Sequence, residues 1–143
     1  MQLVKRQTLK ESDSEHMIYT LGIDVGSTTS KAVLLADGRK IAASALVVAG
    51  TGTDGPALVM EEITRQSGID RKNIVFCMAT GYGRLTLKDA DGELSELSCH
   101  SKGIARMYPD VRTIIDIGGQ DAKVIQLGAK GQMMNFVMND KCA

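Results

Sequence analysis

Two stretches of the sequence carry residues of the kind and spacing that can handle phosphate. The first is Gly22-Ile23-Asp24-Val25-Gly26-Ser27-Thr28-Thr29-Ser30-Lys31-Ala32-Val33, and the second is Ile114-Ile115-Asp116-Ile117-Gly118-Gly119-Gln120-Asp121-Ala122-Lys123-Val124. Each is an apolar run, an aspartate, one β-branched residue, a glycine turn with small polar residues, and a second apolar run; Asp24 and Asp116 stand 92 positions apart. Gly26, Gly118 and Gly119 let the backbone turn tightly and bring N–H groups close to phosphate oxygens. Ser27, Thr28 and Thr29 add hydroxyl donors without bulk. A carboxylate does not face a phosphate directly, but Asp24 and Asp116 can hold Mg²⁺, directly or through water, because that ion prefers oxygen ligands and keeps several waters. Lys31 and Lys123 can neutralise phosphate charge, although strand lysines usually face solvent. Gln120 and Asp121 are candidates for orienting an attacking water, with Asp121 as base or simply as a cap on the next strand. One Asp-x-Gly between two strands is ordinarily only a turn; the matched repeat is what points to a clamp on the β- and γ-phosphates, where catalysis is mainly positioning and charge neutralisation. No G-x-x-x-x-G-K-[ST] loop occurs.

The elements that must position these residues follow from periodicity. Met17 to Val25 alternates as a strand, Ser30 to Ala36 is a second, and Ile41 to Val48 a third, with Asp37-Gly38 as a hairpin signal between the last two. Pro56 opens a helix to about Gln66 with Val59, Met60 and Ile63 on one face and Gly68 as its stop. Asn73 to Ala79 is a continuous apolar run that reads as a buried strand. Gly81-Tyr82-Gly83 follows, either a plain turn or a strand-end loop touching nucleotide. Glu93 to Met107 reads as a helix with Leu94, Leu97 and Ile104 inward, and strands at Thr113–Ile117, Ala122–Leu127 and Gln132–Met138 then restart the opening pattern. The fold class is therefore α/β.

With 143 residues, 43% of them hydrophobic, the chain can bury a core. Seventeen basic and seventeen acidic residues cancel, and five aromatics include no Trp; nothing here suits nucleic acid or an anionic membrane. No apolar run is long enough to span a bilayer, and the charged first sixteen residues lack the apolar segment of a signal peptide, so the expectation is a flexible leader on a cytoplasmic protein. Cys77, Cys99 and Cys142 form no C-x-x-C. Cys77 reads as a small core residue. Cys99 and His100 are neighbours on a helix, point to different faces, and read as neither metal-binding nor catalytic. The eight methionines read mostly as core filler, with Met133, Met134 and Met138 as candidates for an interface.

The duplicated hairpins are similar to the phosphate motifs of the actin, sugar kinase and Hsp70 ATPase superfamily. Within it, Gly22–Thr28, Ala79-Thr80-Gly81-Tyr82-Gly83-Arg84, Glu96-Leu97-Ser98-Cys99-His100, Ile115–Asp121 and Met138-Asn139-Asp140-Lys141-Cys142-Ala143 resemble, in that order, the activators of 2-hydroxyglutaryl-CoA dehydratase and their relatives, including the ATPase subunits of benzoyl-CoA reductase (the BadF/BadG/BcrA/BcrD type). The resemblance implies an actin-like ATPase (ribonuclease H-like) fold, with the first lobe over residues 17–108 and only the opening strands of the second over 109–143. It implies ATP/ADP and Mg²⁺ at the hairpins, and a homodimer sharing one [4Fe–4S] cluster held by two cysteines from each subunit, of which Cys142 is the first. It further implies an electron donor such as a ferredoxin or flavodoxin, and a dehydratase or reductase partner receiving one electron as ATP is hydrolysed. The alternatives on the same fold are a small-molecule kinase and a nucleotide-dependent assembly or regulatory module.

Overall fold

The computed structural model describes residues 17–118 and 121–139. Three antiparallel strands open the chain, β1 (Tyr19–Val25), β2 (Ser30–Ala36) and β3 (Lys40–Val47). The β2–β3 turn places Asp37 at φ 52° and Gly38 at φ 64°, the double positive-φ geometry that an Asp-Gly pair accommodates. Helix α1 (Gly55–Ser67) carries Pro56 in its first turn and ends at Gly68, whose φ of 70° is the left-handed stop. Strand β4 (Ile74–Thr80) then runs parallel to β1, and the two-residue β5 (Gly92–Glu93) parallel to β4, giving the sheet order β3-β2-β1-β4-β5. Helix α2 (Glu96–Met107) leads to a second sheet of β6 (Thr113–Ile117), β7 (Ala122–Leu127) and β8 (Met133–Asn139), all antiparallel.

Alternation along β1 decides where chemistry can happen. Leu21, Ile23 and Val25 point to one face and are at most 2% exposed. They pack with Ala32 and Leu34 of β2, Cys77 of β4, and Val59 and Ile63 of α1. Asp24, between Ile23 and Val25, therefore faces away from α1, directly opposite Lys31 in register.

Two expectations are corrected. The helix expected from Glu93 begins at Glu96. Gly92 and Glu93 pair with β4, the N–H of Leu94 donates to Ala79 O at 3.0 Å, and extended Ser95 caps the helix by accepting from the N–H of Ser98 at 3.2 Å. The apolar run of β4 is buried on one side only: Ile74, Cys77 and Ala79 are covered, while Val75 and Phe76 are 64% and 41% exposed. Met133, Met134 and Met138, the candidates for an interface, are exposed on β8. No helix among the described residues is long and apolar enough to cross a membrane.

The first sheet depends on its contact with α1. Ile63, fully buried there, is expected to cost about 2–5 kcal/mol when replaced by Ala, read as a fall in the urea midpoint; Ile41→Ala, at a 63% exposed position, is expected to leave the midpoint unchanged.

Candidate phosphate-binding cleft

The two hairpins face a common cavity of about 410 Å³. Its walls are Asp24, Gly26, Ser27, Thr28, Thr29 and Lys31 from the first hairpin, and Asp116, Gly118, Asp121 and Lys123 from the second. Tyr82 enters from the loop after β4, and Glu96 and His100 from α2. The sequence repeat is realised atom by atom. Asp24 lies opposite Lys31, and Asp116 opposite Lys123, in the two strand registers. The N–H of Gly26 donates to Thr29 O at 2.9 Å, and the N–H of Gly118 to Asp121 O at 2.8 Å. All four pairs keep the same 92-residue offset. Gly119 and Gln120 lie outside the described residues, as does Cys142.

The first hairpin is braced from behind. Thr51 and Gly83 donate their N–H groups to Gly26 O and Val25 O, both at 2.8 Å. Gly81, at φ 88°, passes so close that a Cβ there would meet Asp24 Oδ1 and the carbonyl of Val25; only glycine fits that backbone and that space.

The two lysines differ in their surroundings. Lys31 reaches Asp24 Oδ2 at 3.0 Å from a half-exposed side chain. Lys123 has a side chain only 6% exposed and answers three carboxylates: Asp121 at 2.8 Å, Asp116 at 3.7 Å and Glu96 at 3.8 Å. Burial draws protons off this ammonium, but the hydrogen bond to Asp121 and the charges of Glu96, Asp121 and Asp116 outweigh it and hold its pKa above the ordinary lysine value. Its stabilising contribution is thus complete below the ordinary value and lost as pH rises through the raised one.

Four carboxylates face two lysines and one histidine among the described residues of the cleft, a surplus of two negative charges with the histidine neutral. A triphosphate would be repelled unless it arrived with a cation. Among the described residues Asp24 Oδ1 is buried and has no hydrogen-bond partner, an oxygen suited to a metal-bound water. Among the described residues no three His, Cys, Asp or Glu side chains form a metal cage, and Mg²⁺ with a nucleotide needs none, since one or two carboxylates plus phosphates and waters suffice. The residues present fit a Mg²⁺–nucleotide.

Glu96 and His100 were not among the residues singled out from the sequence for this site, and His100 was set aside as neither metal-binding nor catalytic. Their four-residue spacing places both on one face of α2, but only the packing of α2 beside β7 shows that this face is the cleft wall. A separate cavity of about 520 Å³ lies beneath α1, lined by apolar Ile23, Met60, Leu87 and Cys77. Burial raises the Cys77 thiol pKa there, partly offset by Arg71. It touches neither glycine turn, so the chemistry assigns the site to the smaller cleft.

The sequence profile of the BadF/BadG/BcrA/BcrD ATPase family matches residues 21–143. The chain belongs to that family. It is 52% identical over 126 residues to a 2-hydroxyisocaproyl-CoA dehydratase activator of Clostridioides difficile, covering 88% of this chain and 47% of that protein. The solved structure of that activator, with bound ADPNP, superposes with a TM-score of 0.85 over 88% of this chain and 47% of the other. The (R)-2-hydroxyglutaryl-CoA dehydratase activating ATPase of Acidaminococcus fermentans is 54% identical over 88% of this chain and 48% of its own length. At 14% identity, a solved structure from Chromobacterium violaceum shares the fold alone, with a TM-score of 0.56 over 82% of this chain and 48% of the other. The fold is the actin-like ATPase fold. The chain spans about half the length of the curated relatives it matches.

The contrast between the two lysines is testable. Lys31→Ala is expected to cost about 1 kcal/mol or less, whereas Lys123→Ala should move toward the roughly 3–5 kcal/mol of a broken buried pair, compared by urea denaturation at neutral pH.

Proposed function

We propose that this chain is the nucleotide-gripping portion of an ATP-hydrolysing activator that delivers single electrons to a 2-hydroxyacyl-CoA dehydratase or a related reductase. The observation that carries the ATPase reading is the pair of matched hairpins facing one cleft, each presenting an aspartate and a glycine turn, with an excess of negative charge that calls for a cation. In this reading the hydroxyls of Ser27, Thr28 and Thr29 and the Gly26 and Gly118 turns hold the β- and γ-phosphates. Asp24 and Asp116 accept hydrogen bonds from cation-bound water, and Mg²⁺ supplies neutralisation of phosphate charge when bound. Asp121, with Gln120, orients the water that attacks the γ-phosphorus. The bond to the β–γ bridging oxygen breaks, ADP and inorganic phosphate leave, and the water's proton passes to solvent or phosphate. Lys31 and Lys123 hold the carboxylates in place.

Electron delivery rests on the family membership and on Cys142. The proposed arrangement is a homodimer in which Cys142 is one of two cysteines per subunit holding a shared [4Fe–4S] cluster, which supplies one-electron chemistry when bound. A ferredoxin or flavodoxin would reduce it, and the dehydratase or reductase would receive the electron.

Two substitutions separate the halves of this reading in the full-length gene product, purified anaerobically. Asp24→Asn and Asp116→Asn are each expected to lower MgATP hydrolysis by at least about a hundredfold, measured as phosphate release; hydrolysis that persists in both refutes the cleft assignment. Cys142→Ser is expected to lose the bound iron and the broad charge-transfer absorption while retaining nucleotide binding. Retention of full iron content would overturn the ligand assignment alone.

A further inference from the structure

We propose that His100, supported by Glu96 one turn earlier on α2, is a positioning residue for hydrolysis that acts through Asp116; this rests on the reading of the cleft as an ATPase site. The two hairpins match in sequence, but their aspartates are not held alike. Asp24 Oδ2 has Lys31 to itself at 3.0 Å. Lys123, the corresponding lysine, is drawn toward Asp121 at 2.8 Å and lies 3.7 Å from Asp116 Oδ2, so Asp116 is left with a long, shared contact. Among the described residues, His100 Nδ1 is a second and closer neighbour of that oxygen, at 3.2 Å. Glu96 Oε2, 3.8 Å from Lys123 Nζ, draws the lysine toward α2 as well. The second aspartate is thus oriented by a helix that belongs to neither hairpin.

The helix is a suitable carrier. Ser95 caps it, and Ser101, its one buried residue, donates to Leu97 O at 2.7 Å. His100 lines the cleft, whereas adjacent Cys99 takes no part in its lining. The His100 side chain is 42% exposed, so its contact with Asp116 adds little to stability. What it fixes is the direction of a carboxylate whose task is orientation, and small displacements of such groups are costly to rate.

The test compares His100→Ala, His100→Asn and His100→Gln in the full-length gene product by steady-state MgATP hydrolysis and thermal melting. The Asn amide nitrogen stands where Nδ1 stands, while the Gln amide reaches the position of Nε2. The Ala and Gln variants are expected to lose between about ten- and a hundredfold in kcat with the KM for ATP changed by less than about threefold. Asn should recover to within about threefold of the parent, and all three melting temperatures should be unchanged. Hydrolysis by the Ala variant within twofold of the parent overturns the inference. So does equal behaviour of Asn and Gln, or a kcat loss that merely follows lowered melting. Should Ala not fold, the Asn–Gln comparison decides alone. Asp24→Asn run in parallel separates the two levels: if it also hydrolyses ATP normally, the cleft reading fails; if it is dead while His100→Ala is active, only the role of His100 falls.

Discussion

The cleft depends on holding carboxylates aimed while leaving them available to a cation. Each aspartate is the penultimate residue of the outgoing strand of a hairpin, and the register sets a lysine of the returning strand directly across from it. A lysine in that place stabilises the carboxylate, yet its tether on the neighbouring strand keeps it at the wall of the cleft. The pairs do not cancel the charge of the site, because Asp121 and Glu96 add two carboxylates without adding lysines. In the proposed reading, the remaining negative potential favours a nucleotide accompanied by a divalent ion.

Strand alternation makes this possible at little structural cost. One face of β1 and β2 goes into the contact with α1, and the other is left to carry Asp24 and Lys31. The parallel neighbour β4 ends beside Asp24 and delivers Gly81, whose missing side chain is what lets the loop close behind the first turn. The chain then crosses from the first sheet to the second through α2, so the element that links the sheets is also the one whose Glu96 and His100 form part of the cleft wall. Position and chemistry are set by the same connections.

Much of this was legible in the residues. The hairpins, the Asp37-Gly38 turn, the Pro56 start and the Gly68 stop each rest on local backbone chemistry that survives any tertiary context. Cys77 as a core residue followed from its place in an apolar strand. The continuous run at 74–79 was less informative, because unbroken apolarity does not tell which face is covered, and Val75 and Phe76 stand exposed. A two-residue strand such as β5 carries no periodicity, so Ser95 as a cap was hidden inside an apparent longer helix. His100 was hidden differently: helical spacing separates it from Cys99 but does not say which of the two faces meets Asp116. That depends on how α2 lies across the second sheet, which is long-range packing with no local sequence mark.

The central claim is that the cleft takes phosphate only together with a divalent cation. Titration calorimetry of the full-length gene product with a non-hydrolysable ATP analogue, with Mg²⁺ and then with EDTA, tests it directly. The account predicts that removing Mg²⁺ weakens binding by at least about tenfold, the loss expected when a negatively charged site meets an unneutralised triphosphate. Equal affinity with and without Mg²⁺ would contradict it and would mean that the paired hairpins do not read phosphate through a metal.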